Sequence, residues 1–163
     1  MNKIKLIGIN TAGAKRLWYG PETKIGVFAS RNFDANDYRL EQWDTEMGRS
    51  QQCLVSTFHS DAERRMLNIA LANGAFAVWI RGCNLPRVYR GAVEKAMEND
   101  HLLMLSCFHR THHTEATARY CVQLVSMCTK KHTFFLNEND SLLEPVYRKV
   151  AWYYTTKTFY GRD

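Results

Sequence analysis

The sequence predicts an α/β domain of three layers, α/β/α, built around a mainly parallel sheet of about five or six strands. Short apolar runs alternate along the chain with helical stretches of ~10 to 15 residues, the pattern of parallel strands joined by crossover helices. One stretch, Cys53 to Ile80, holds a complete β-α-β unit with its own start and stop signals. With 163 residues, 45% of them hydrophobic and 23% charged, the chain can bury a real core and does not have the composition of a disordered segment. All 163 residues are read as one domain, with no internal repeat or linker.

Residues 1 to 20 read as an edge strand, Ile4 to Ile9, and a loop running toward Pro21. Lys24 to Ala29 is a firmer strand and ends in Ser30-Arg31. Asp34 or Asn36 then caps a helix with apolar positions Tyr38, Leu40, Trp43 and Met47. Cys53 to Ser56 is an apolar run suited to a strand buried on both faces, and Thr57 to Ser60 is a turn. Ser60 and Glu63 have capping-box spacing, the hydroxyl accepting from the N–H three residues on while the carboxylate reaches back to the serine N–H. Ala62, Met66, Ile69, Ala70 and Asn73 recur at helical spacing, Asn73-Gly74 supplies the left-handed stop, and Ala75 to Ile80 is the next strand.

After a loop at Arg81 to Asn84, Pro86 falls where the first turn of a helix is expected, with Val88, Tyr89, Ala92, Val93, Ala96 and Met97 as its apolar face. His101 to Ser106 is a strand, Cys107 to His113 a polar loop, and Ala116 to Cys128 a helix. Thr133 to Leu136 is a strand, Asn137 to Asp140 a turn, and Leu142 to Tyr154 a closing helix; the last nine residues carry no clear assignment.

A formal charge of +6 favours an anionic partner. Five cysteines, without a C-x-x-C pair, read as reduced and mostly buried. No apolar run reaches the ~18 to 20 residues that span a bilayer, and the first residues lack a secretory pattern, so the expected compartment is the cytoplasm and no membrane partner is expected.

In an open α/β sheet the ligand crevice lies outside the carboxyl ends of the strands, at the switch point. That rule gathers Ser30, Arg31, Thr57 to Ser60, Arg81, Ser106 to His109 and Asn137. Ser30 and Arg31 suit a phosphate, since arginine offers a planar fork of donors; the alternative is a surface arginine without a ligand. The turn Thr57-Phe58-His59-Ser60 either grips the same anion through main-chain N–H groups, with Phe58 or His59 stacking on a base, or is a capped turn with Phe58 in the core. Cys107, His109, His112 and His113 lack the second ligand pair of a structural zinc site and read as a solvated loop facing the crevice. Arg119 faces either the crevice or water. No cofactor is expected: G-x-G-x-x-G, the P-loop and G-x-S-x-G are all absent.

The segments KIGVFASR, LVSTFHSDAERRMLNIAL, FAVWIRGCNLP, HLLMLSCF and ATARYCVQLVSMCTKKHTFFL, spanning roughly residues 24 to 150, resemble the Rossmann-like proteins related to DNA-processing protein A, in the superfamily that also holds the lonely-guy phosphoribohydrolases. The resemblance implies a Rossmann-like sheet whose crevice binds nucleotide phosphates or single-stranded DNA, often in dimers. It places Ser30-Arg31 on the family's S-R loop, Phe58 to Ser60 on its second loop, and Arg119 on the arginine opening a later helix. The chain departs from the family at Thr57, where glycine is usual, at Tyr120, where asparagine is usual, and at Asn137 to Asp140, where the family has a glycine-rich loop. The resulting expectation is a nucleotide- or single-stranded-DNA-binding protein that is not itself an enzyme, with Ser30, Arg31, Thr57, Phe58, His59, Ser60, Ser106 and Arg119 as its contacts. The alternatives are a nucleotide-processing enzyme, such as a phosphoribohydrolase or N-glycosidase, and a protein-interaction module.

Overall fold

The computed structural model describes residues 5–21 and 23–161. Seven strands form one sheet in the order β1-β5-β4-β3-β2-β6-β7. They are β1 (Asn10–Gly13), β2 (Lys24–Ala29), β3 (Cys53–Ser56), β4 (Phe76–Arg81), β5 (Leu102–Ser106), β6 (Lys131–Leu136) and β7 (Thr155–Tyr160). All neighbours pair in parallel except β1, which lies antiparallel on β5. The helices are α1 (Arg16–Tyr19), α2 (Tyr38–Arg49), α3 (Asp61–Ala72), α4 (Gly91–Glu98), α5 (Glu115–Met127) and α6 (Glu144–Tyr153). This is the Rossmann-like α/β architecture that the alternating pattern predicts.

The central strands are buried on both faces, and their side chains alternate between two cores. Val27, Leu54, Ala77, Trp79 and Met104 face one core, shared with Leu40 and Trp43 of α2 and Met66 and Ala70 of α3. Phe28, Val55, Val78, Ile80 and Leu105 face the other, shared with Cys121 and Val125 of α5 and Val146 and Val150 of α6. Alternation in strands whose two faces are both covered explains the unbroken apolar runs in the sequence.

Helix α3 starts where the capping box predicts, with both reciprocal bonds of Ser60 and Glu63 formed, and ends at Asn73 before Gly74 at φ +103°. Two expectations are corrected, and the unassigned end of the chain gains a strand. The first strand forms at Asn10–Gly13 and not over Ile4 to Ile9; Leu6 to Ile9 is not extended in a strand, and Ile4 lies outside the described residues. Pro86 does not open a helix, because Arg90 is extended and Gly91 has φ +61°, so α4 begins only at Gly91. Thr155–Tyr160 is a strand, parallel to β6 over all six of its residues.

The order reverses at β2, with β3, β4 and β5 on one side and β6 and β7 on the other. The helices leaving β2 and β6 depart to opposite faces of the sheet, and the space between their loops is the crevice of an open α/β fold.

Candidate functional site

At that switch point lies a cleft of about 640 Å³. Its floor is the ends of β2 and β3, through Ala29, Ser30, Thr57 and His59. One wall is the start of α5, with Glu115, Ala118 and Val122, and the other is the loop from Asn137 to Leu143. Ser30, Arg31, Thr57, His59 and Ser60 all line it, so five of the eight sequence-expected contacts are brought together.

The backbone around the turn after β3 is held by one buried carboxylate. Glu63, 5% exposed, accepts through Oε1 from the N–H groups of His59 (3.0 Å) and Ser60 (3.2 Å) and from the Thr57 hydroxyl (3.4 Å). Its Oε2 accepts from the N–H of Ala29 at the end of β2 (3.0 Å). Burial holds the pKa of this carboxyl above the usual carboxylate range, and the four donors offset only part of that rise. The carboxylate of Glu63 thus sits where the sequence places an outside anion, and the N–H groups of His59 and Ser60 are already used. The Phe58 N–H is used as well, donating to Ser56 Oγ at 3.1 Å.

Phe58 itself is in the core. It is fully buried, edge-on to Trp79 at 6.0 Å between centroids, with its backbone in the left-handed region at φ +42°. Of the two readings of the turn, the capped turn with a core phenylalanine holds for this side chain, which is closed to a base. Ser30 is also committed: its Oγ accepts from the Asn137 N–H at 2.9 Å and ties the β6–α6 loop to β2. Ser106 does not reach the cleft, because its hydroxyl donates to the carbonyls of Cys83 (2.9 Å) and Phe108 (3.1 Å) and locks two neighbouring loops. Arg119 lies outside the cleft lining, in an ion pair with Glu115 one turn earlier at 2.9 Å.

Around the cleft lie two histidine rings and three guanidinium groups; Arg31 lines the cleft itself, together with Glu115, Glu138 and Asp140, while Arg64 and Arg81 lie beside it, outside its lining. The His59 ring stacks obliquely on His113, with centroids 4.2 Å apart. Burial lowers the His59 pKa, and the guanidinium groups of Arg31, Arg64 and Arg81 lower it further. His113 is lowered to about 4 by burial, by His59 and by Arg81. Its Nδ1 is buried without a hydrogen-bond partner among the described residues. Arg64 and Arg81 lie over the Trp79 ring, 4.4 and 5.0 Å from its centroid. The indole face holds both cations without neutralising either. Among the described residues Arg31, Arg64 and Arg81 make no ion pair. Arg31 and Arg81 are gathered by the strand-end rule and His113 belongs to the loop expected to face the crevice, whereas Arg64 emerges only from the fold. Arg64 follows Ser60 by one helical turn, and that spacing is the one signal in the sequence that places it beside the β3 loop.

No group of three or more histidine, cysteine or acidic side chains able to hold a metal occurs among the described residues. No helix among them is long and apolar enough to cross a membrane.

Neither a family model nor a curated protein matches the sequence. Solved structures do match the fold. DNA processing protein A from Helicobacter pylori, described for its single-stranded DNA binding mode, superposes with a TM-score of 0.68 at 16% identity, over 98% of this chain and 74% of that one. DNA processing protein A from Streptococcus pneumoniae superposes with a TM-score of 0.62 at 12% identity, over 91% of this chain and 62% of that one. At such identities the likeness speaks for architecture alone, and the chain is structurally similar to DNA processing protein A.

Proposed function

We propose that the chain binds single-stranded nucleic acid, with phosphates held at the carboxyl ends of β2, β3 and β4. The observation that carries this reading is the convergence of Arg31, Arg64 and Arg81 on the His59–His113 pair with no carboxylate paired to any of the three guanidinium groups. Unneutralised guanidinium groups held close together repel one another, and a polyanion relieves that repulsion with charge-assisted, bidentate bonds. Several cations spread over three strand ends match a run of phosphates better than one. The single-stranded DNA bound by the Helicobacter pylori protein of the same fold supports this ligand class. The recognising groups differ from the sequence expectation, because side-chain guanidinium groups take over from the main-chain N–H groups that Glu63 occupies.

The test is a titration of fluorescently labelled oligothymidylate, followed by anisotropy, against the chain and its Arg31→Ala variant. Arg31 is exposed and packs against no core, so the variant should unfold at nearly the same temperature while binding about tenfold to a hundredfold more weakly. Its log–log salt slope should be shallower by about 0.7, the release expected for one single-strand phosphate contact. Equal binding by the two proteins would remove the cleft as the site. Release of free base from a nucleotide would instead favour the phosphoribohydrolase or glycosidase alternative.

A further inference from the structure

The most exposed aromatic side chains of the molecule lie far from the cleft. Trp152 is 82% exposed and Tyr153 72%, both in the last turn of α6, and Tyr154 follows at 46%. An isolated exposed aromatic needs no explanation, but three cluster where α6 ends, the last of them packed on His132 with ring centroids 5.6 Å apart. On α6 the core is served by Val146 and Val150; Arg148 and Trp152 lie on the arc turned away from it, whereas Tyr153, two turns after Val146, is exposed in the last turn of the helix. Each aromatic sits one turn beyond a cation, Trp152 after Arg148 and Tyr153 after Lys149.

The charge around them has one sign. Lys131 pairs in register with Thr155, beside Tyr154, and Lys130 precedes it; both lysines are exposed. From Met127 to Leu136 and from Pro145 to Gly161, two segments joined through the β6–β7 ladder, no aspartate or glutamate occurs. Only Arg148 is neutralised, by Glu144 at 2.6 Å. Flat exposed rings interleaved with unpaired lysines suit unpaired bases with their phosphates, since every base offers a π face and each phosphate a charge. A duplex hides its base faces, and an apolar interface would not interleave lysines with its rings.

We infer that this corner, the end of α6 with the adjoining edge of β6 and β7, is a second contact for single-stranded nucleic acid, stacking bases on Trp152 and Tyr153 and holding phosphates on Lys130, Lys131 and Lys149. The inference takes its ligand class from the cleft reading but rests on different residues. The cleft wall at Leu143 and this corner lie at opposite ends of α6, whose ten residues span about 15 Å. One strand running down the helix can touch both.

Trp152 makes the test direct. Trp18, Trp43 and Trp79 are buried, so iodide should quench Trp152 selectively. Saturating oligothymidylate should remove most of the iodide-quenchable emission of the full chain. The double variant Trp152→Ala, Tyr153→Ala should bind the oligonucleotide about tenfold to a hundredfold more weakly, and Trp152→Phe with Tyr153→Phe should restore most of the loss, because stacking needs a ring and not an indole. In Arg31→Ala, oligothymidylate at its own saturating concentration should still shield Trp152. Failure of the cleft reading appears as Arg31→Ala binding like the parent while shielding persists. Failure of the corner appears as Trp152 remaining open to iodide in a saturated complex. Equal shielding by duplex DNA would overturn base stacking. Shielding that grows with protein concentration alone would assign the patch to a second copy of the chain, and shielding by phosphatidylserine vesicles without shielding by oligothymidylate would assign it to a lipid surface.

Discussion

Asp44 shows how far burial alone can move a side chain's chemistry. It lies on the buried face of α2, with no exposed surface and neither carboxyl oxygen hydrogen-bonded among the described residues. Burial pushes its pKa up to about 9, against a weaker pull from Arg65. Arg65 is turned to other partners, the Ala35 carbonyl at 2.6 Å and Glu41 at 3.2 Å. The folded chain therefore holds a proton on Asp44 that the unfolded chain releases near pH 4. A folded pKa above the unfolded one gives stability that is complete below the unfolded value and is lost as pH rises toward the folded value. Wild type should thus lose stability between about pH 4 and pH 9. Asp44→Asn, neutral throughout, should be the more stable protein at neutral pH, by about 2 to 4 kcal/mol. Urea unfolding of both at pH 5, 7 and 9 checks this: the advantage of the variant should widen with pH, and a constant difference would mean that Asp44 does not carry a buried proton.

At the scale of elements, α3 and its preceding turn behave as one part, because Glu63 serves both as the helix cap and as the tie between β2 and β3. Ser60→Ala removes one cap acceptor and should cost about 1 kcal/mol. Glu63→Ala strips acceptors from three backbone N–H groups and a hydroxyl, and should cost on the order of 3 kcal/mol or more. Thermal unfolding of the two variants should rank them in that order, and similar losses would show that Glu63 acts only as a cap. The same unit explains what was legible in the sequence. Strand β3 and helix α3 could be read residue by residue because a capping box, an apolar stripe and an Asn-Gly stop are local signals. Strand β7 could not: its exposed edge carries polar residues, and its place depends on pairing with β6 and on Phe159 stacking on Phe135 at 4.7 Å. The false helix start at Pro86 has a similar cause, since the chain turns there through an extended Arg90 and a left-handed Gly91 that no periodicity reports. In the site, the strand-end rule finds Arg31, His59 and Arg81. The meeting of His113 with His59 is a tertiary event, as is the turning of Ser106 toward the Cys83 carbonyl.

Over the whole molecule, the cysteines gather on one face of the sheet: Cys53 and Cys121 lie in the core shared with α5 and α6, Cys107 and Cys128 pack against it, and Cys83 lies in the loop after β4. All are free thiols; Cys53, Cys83 and Cys121 are buried, and Cys107 and Cys128 are half-buried. Burial pushes Cys121 and Cys128 up to about 12 and raises Cys107 as well. Thiolate is the reactive form, so at pH 7.5 these three side chains are poor nucleophiles as well as poorly reachable ones. Unfolding removes both barriers together. A thiol reagent added to the native chain should therefore modify little at first, and five equivalents should react after denaturation without reductant. For the buried thiols of β3 and α5, Cys53 and Cys121, modification requires opening of the sheet–helix layer itself, so their rates in native buffer should fall together and track global stability. Glu63→Ala should speed both in proportion to its loss of stability, whereas Arg31→Ala should leave both unchanged. Peptide mapping of the modified chain reads each site separately. If Cys121 reacted much faster than Cys53, α5 would open alone, and the cleft wall that it forms would be a mobile part of the site rather than a fixed one.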